Sequence, residues 1–149
     1  MLASFYEFVI IDAPPSLGSI TQNCLHASTH VIAPVAPRTQ SMEGLRLISK
    51  YIAKMPRPCA PDLLSVVCNF FNCRERASGE FVECLRRECG EIVCETLVHR
   101  DEWIEGCGER HQIIQSYALR STAAALFTEL ADELLASMNI TIPQAVASR

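Results

Sequence analysis

The chain has 149 residues, 49% of them hydrophobic and 20% charged, with a net charge of −4. That length and balance suit one globular domain with a real core and exclude a disordered, solvating chain. The acidic balance excludes a global attraction to nucleic acid, so any such contact needs a local patch. No stretch approaches the roughly 20 apolar residues of a membrane helix, and no basic region precedes an apolar run at the start, so the cytoplasm is the expected compartment.

The first element is the apolar run Phe5 to Ile11, which stops sharply at Asp12-Ala13-Pro14-Pro15. A run apolar on both faces and bounded by turn residues predicts a buried parallel strand. Ser16 is placed to cap a following helix whose shared face would hold Ile20, Cys24 and Ser28. A second strand, Val31 to Val35, is closed by Pro37. The distance between the two strands, about thirty residues, fits a strand–helix–strand unit.

The alternation then repeats. Ser41 precedes a helix with Met42, Leu45, Ile48, Ile52 and Met55 as its apolar stripe, stopped by Pro56 and Pro58. A third strand is expected over Leu63 to Cys68, then a helix over Glu80 to Cys89 with Phe81, Leu85 and Cys89 on one face, ended by Gly90. A fourth strand is expected over Glu91 to Leu97. Val98 to Arg120 is polar, with Gly106 and Gly108 around Cys107, and reads as a long loop with a short strand at Ile113-Ile114. A last helix runs from about Ser121 to Met138, and residues 139–149 read as a frayed tail. The fold class expected is α/β: a mainly parallel sheet with helices on both faces, in a single domain over residues 1–138.

Eight cysteines are many for such a chain, yet no Cys-x-x-Cys pair occurs. Cys68 and Cys73 stand at the edge of zinc-ligand spacing with no histidine near them, so buried thiols acting as small apolar groups are the expectation.

Ligands of parallel sheets bind at the carboxyl ends of the strands, where Asp12 follows Val9-Ile10-Ile11. A lone aspartate there is ordinarily a loop former. The two prolines stiffen this loop and would hold the carboxylate in place to meet the water shell of a magnesium ion.

The segment Phe8-Val9-Ile10-Ile11-Asp12-Ala13-Pro14-Pro15-Ser16-Leu17-Gly18 resembles the Walker B segment of the ParA/MinD class of P-loop ATPases, in its ParA form. Val31 to Val35 with Ser41-Met42-Glu43-Gly44-Leu45 is similar to the strand and helix start that follow in that family. Val67 to Arg74 resembles its nucleotide-base loop, and Glu129 to Leu135 its closing helix. The resemblance implies a P-loop NTPase-like three-layer fold and an ATP- and magnesium-dependent partition ATPase. By position it implies that Asp12 lies on the magnesium shell and that Pro14, Pro15 and Ser16 form the switch sensing the γ-phosphate. Asn69 falls near the adenine, although a turn-forming asparagine at a strand end explains it equally on local grounds. The family binds nonspecific DNA through scattered basic residues, which here would be Arg100, Arg110 and Arg120. Their acidic neighbours Asp101, Glu102 and Glu109 make a solvated surface the plainer reading. The partner implied is a ParB-like centromere-binding protein.

Departures from the family pattern carry equal weight. A P-loop needs glycines and a lysine to cradle phosphates, and the only lysines, Lys50 and Lys54, lie in no such motif. The family sets that motif ahead of the Walker B strand, so the expectation is a truncated member unable to hydrolyse ATP alone. The other expectation is a non-enzymatic interaction module that pairs with a P-loop-bearing chain or with itself. The later loop also lacks the family's Glu-Ala-Pro and Gly-Lys-Pro segments.

Overall fold

The computed structural model describes residues 5–57 and 59–140. Two strands, β1 (His30–Val35) and β2 (Asp62–Cys68), pair in parallel, as expected for the second and third strands. β-branched and apolar residues fill both strands, and the register runs from His30 beside Asp62 to Val35 beside Cys68, with one irregularity after Val31.

Six helices accompany them among the described residues: α1 (Ser19–Ala27), α2 (Thr39–Lys54), α3 (Arg76–Cys89), α4 (Glu102–Arg110), α5 (Ile114–Tyr117) and α6 (Thr122–Ser137). The main core joins Ala33, Val35, Val66 and Cys68 of the strands to Met42 and Leu45 of α2 and to Val82 and Leu85 of α3. On the opposite face Val67, Cys94, Val98 and Leu130 pack together with Phe127 and Leu134 of α6. Alternate strand residues thus feed two cores, and helices cover both faces as the fold class requires. Leu85, Val66 and Cys68 are the most completely buried side chains.

Several expectations are corrected. Phe5 to Ile11 forms no strand: the segment is exposed along its whole length and pairs with neither β1 nor β2. A buried strand needs a hydrogen-bonding neighbour and a covered face, and the described residues provide neither. Ser16 is not the cap of α1. Gly18 is, and the buried residues of that helix are Thr21 and Leu25, one position on from the expected Ile20 and Cys24. α2 begins at Thr39, ahead of Ser41, while its stripe is kept in Met42, Leu45 and Met55. α3 begins at Arg76 rather than Glu80, and its inward side is Ser78, Val82 and Leu85.

Gly90 ends α3 as expected, at φ +63°, with its N–H bonded to the Arg86 carbonyl. The fourth strand shrinks to a turn of 3₁₀ helix, Gly90–Ile92, and a single parallel bridge of Val93 to Val66. The chain still runs alongside β2 there, since Cys94 N–H bonds Val66 O and Val98 N–H bonds Cys68 O, both at 2.9 Å. Within the polar stretch 98–120, expected as a loop, residues 102–110 and 114–117 are helical, and Ile113-Ile114 opens α5 instead of forming a strand. Residues 141–149, most of the expected tail, lie outside the described residues, as does Pro58.

Candidate functional site at the carboxyl edge of the sheet

The carboxyl ends of β1 and β2 are tied together by the Asn69 N–H, which donates to the Val35 carbonyl at 2.8 Å. Asn69 then turns the chain. Its Oδ1 accepts the Phe70 N–H at 2.8 Å, and Phe70 takes the left-handed region at φ +57°. A side-chain bond from Asn to the next backbone N–H stabilises such a turn, and Phe70 at positive φ is the strained residue within it. The Asn69 side chain is therefore occupied as a turn former. The chain returns through the Phe71 N–H, bonded to Val98 O at 3.0 Å, and the Phe71 ring meets His99 edge-on at 5.3 Å. Asn72 closes the loop by bonding Glu75 and the Arg74 N–H.

Asp12 is exposed. Pro14, Pro15 and Ser16 are exposed with it. What anchors this loop is Thr21, which sequence reading missed. Its buried Oγ1 lies 2.6 Å from the Ser16 carbonyl and 3.1 Å from the Pro14 carbonyl, so one hydroxyl proton holds both turns of the loop onto α1. The signal was a threonine on the inward face of a helix just after a proline pair. No hydrogen bond brings Asp12 and Asn69 together.

A magnesium ion coordinated through water needs few protein ligands, and one carboxylate on a stiff loop is compatible with an outer contact. It does not make a site. Among the described residues no group of three His, Cys, Asp or Glu side chains converges on a metal position. Lys50 and Lys54 both lie on α2, inside a regular helix whose N–H groups are taken, and cannot form a phosphate-cradling turn. The residues present do not fit a complete ATP–magnesium site.

The three arginines fall around α4, α5 and α6. Asp101 caps α4 by accepting the Trp103 N–H at 2.8 Å, and Glu102 and Glu105 stand in the first turn, where carboxylates suit the helix dipole. Arg100 bonds Glu105 at 3.1 Å. Arg110 lies 5.0 Å above the Tyr117 ring, and Trp103 meets the same ring edge-on at 5.8 Å. Arg120 is exposed in the turn before α6. The structure thus engages two of these arginines within the protein and gathers the three on no common cleft.

The family model described as AAA domain matches residues 1–64. The chromosome partitioning protein ParA of Myxococcus xanthus is 29% identical over 136 residues, covering 90% of this chain and 48% of that protein. A ParA family protein of Chlamydia trachomatis is 28% identical over 130 residues, covering 87% of this chain and 51% of its own length. The sporulation initiation inhibitor protein Soj of Bacillus subtilis is 28% identical over 134 residues, with 89% and 53% covered. The chain spans about half the length of the curated relatives it matches. Its similarity to these ParA and Soj proteins runs over most of the chain, in keeping with the resemblance carried by the residues from Phe8 to Gly18.

Proposed function

We propose that this chain is a partitioning component of ParA type that does not hydrolyse ATP by itself. The observation that carries the reading is the pairing of kinship over nine-tenths of the chain with a lysine complement confined to α2. Phosphoryl transfer is catalysed mainly by positioning and by neutralising phosphate charge. Asp12 supplies one carboxylate for the magnesium side of such a site, and Pro14, Pro15 and Ser16 supply the γ-phosphate switch. The phosphate cradle must come from elsewhere. ATP, magnesium and the ParB-like centromere-binding protein are accordingly ligands of an assembled particle. Cytoplasmic residence follows from the same role, in keeping with the lack of any helix, among the described residues, long and apolar enough to cross a membrane.

A magnesium-dependent ATPase assay of the purified chain tests this. The expected result is turnover at the background rate for both the wild-type chain and Asp12→Ala. Turnover by the wild-type chain that Asp12→Ala abolishes would contradict the reading.

One observation favours a second reading, a non-enzymatic interaction module. The exposed run Phe5 to Ile11 is apolar beyond what solvent contact explains, and burial against another chain would account for it. That chain is either a P-loop-bearing protein or a second copy.

A further inference from the structure

We infer that the groove between α2 and α3 docks an acidic amphipathic helix of a partner protein, with one apolar side chain in the groove and carboxylates on Lys50 and Lys54. The site goes beyond the partition role proposed above and uses none of the residues assigned to it.

Charge gives the first line of evidence. Residues 38–57 hold five of the chain's thirteen lysines and arginines but only one of its seventeen acidic residues, Glu43. A basic strip thus lies on a protein whose net charge is −4. Arg46, Lys50 and Lys54 recur at every fourth residue of α2, each turned about 40° from the last, so they share one side of the helix. Two cations of the strip are held by acids: Arg57 by Asp62 at 3.9 Å, and Arg46 by Glu88 of α3, with Nε 2.9 Å from Oε2. Arg46 meets both oxygens of Glu88, so the one acid bordering the groove is already neutralised. Lys50 and Lys54 stand exposed beyond that pair.

Shape gives the second. The groove measures about 270 Å³ and has Met42, Leu45 and Cys89 in its lining, with Lys50 beside them. Met42 and Leu45 belong to the main core and Cys89 packs against it, so the floor is apolar and is held in place by β1 and β2. Small-molecule pockets run from about 300 to 1,000 Å³, so this groove falls below cofactor size and suits a single large apolar side chain. The two features together select the occupant. A nucleic-acid backbone would satisfy the lysines but has no apolar side chain for the floor. A purely apolar peptide would fill the floor and leave the lysines without countercharge. An acidic amphipathic helix satisfies both, and its carboxylates four residues apart match the spacing of Lys50 and Lys54, about 6 Å along the axis in either helix.

Fluorescence anisotropy tests the inference, with a short labelled peptide that carries leucines at helical spacing and glutamate or alanine elsewhere. The methyl NMR signal of Met42 reports where the peptide sits. The expected result is saturable binding that shifts the Met42 signal. Lys50→Glu combined with Lys54→Glu, both at exposed positions, should raise the dissociation constant at least about tenfold. Replacing the leucines of the peptide by alanine should weaken binding at least about tenfold as well. Equal binding of the alanine peptide would show charge attraction alone and overturn the groove as the docking site. Binding that leaves the Met42 signal unmoved, or that the double variant does not weaken, would place the peptide elsewhere and overturn the inference. Failure of the peptide to bind at millimolar concentration would overturn it too. A short DNA duplex that binds where the peptide does not, and is lost in the double variant, would assign the strip to nucleic acid instead.

Discussion

The carboxylate of Glu133, on α6, accepts the backbone N–H of Thr96 at 3.0 Å, and its second oxygen takes the neighbouring N–H of Glu95 at 2.6 Å. The chain bows away from β2 there, between the Cys94–Val66 and Val98–Cys68 bonds, and the two donors it leaves are satisfied by one side chain. The closing helix is thereby fixed to the sheet by charge-assisted bonds as well as by Leu130, Phe127 and Leu134.

Removing that carboxylate should loosen α6. Burial works against the Glu133 charge, but the N–H groups of Thr96 and Glu95 outweigh it and hold the carboxyl below the usual glutamate range. A depressed folded value means that the stabilisation is complete above the unfolded value, about 4.3, and is lost as pH falls through the folded value. Glu133→Gln is expected to cost about 1–2 kcal/mol at neutral pH, with the part-exposed position setting the low end. Urea midpoints measured from pH 7 downward check it: the gap between wild type and variant should close in acid. A gap that persists unchanged at pH 3 would show that the charge is not what holds the loop.

The thiols should separate by reactivity. Burial pushes both the Cys68 and Cys94 thiols up to about 11, and the Glu133 charge adds to the effect at Cys94. Cys59 and Cys73 are exposed. Since the thiolate is the reacting form, brief iodoacetamide labelling at pH 8 is expected to modify Cys59 and Cys73 well before Cys68 and Cys94. Equal labelling of Cys68 and Cys94 in the native protein, read by peptide mass spectrometry, would mean that the two cores are not packed as described.

Two helical glycines should respond oppositely to a methyl group. At Gly44, within α2, an added Cβ meets nothing within 4 Å, so Gly44→Ala is expected to stabilise by about 0.5–1 kcal/mol through helix propensity. At Gly106, in α4, the same atom would stand 3.2 Å from the Tyr117 ring, which is pinned between Trp103 and Arg110. Gly106→Ala should therefore gain less than Gly44→Ala or lose stability outright. Thermal midpoints compare the two, and an equal gain at both positions would show that Tyr117 is free to move aside.

Periodicity made the helices at Met42, Leu85 and Leu130 readable, because each carries apolar residues at helical spacing along a side that meets the sheet. It misled at Phe5 to Ile11. An apolar run reports a tendency to be buried, whereas a strand also requires a neighbour, which the run itself does not contain. The stretch around Gly106 and Gly108 failed for the opposite reason. Poor helix formers masked a helix whose start was marked by Asp101 with Glu102 and Glu105 and whose end was marked by Arg110. Of the candidate site, Asp12 and its prolines were legible as chemistry. The hydroxyl clamp of Thr21 was not, because it depends on a fold-back that spacing alone does not show.

Isothermal titration of the purified chain with ATP in excess magnesium tests the central claim most directly, since it asks whether a phosphate cradle exists before asking whether it turns over. No saturable heat up to millimolar ATP is the predicted result for a chain whose lysines lie on α2. A saturable isotherm of one ATP per chain, weakened by Asp12→Ala, would show a complete nucleotide site and contradict the account.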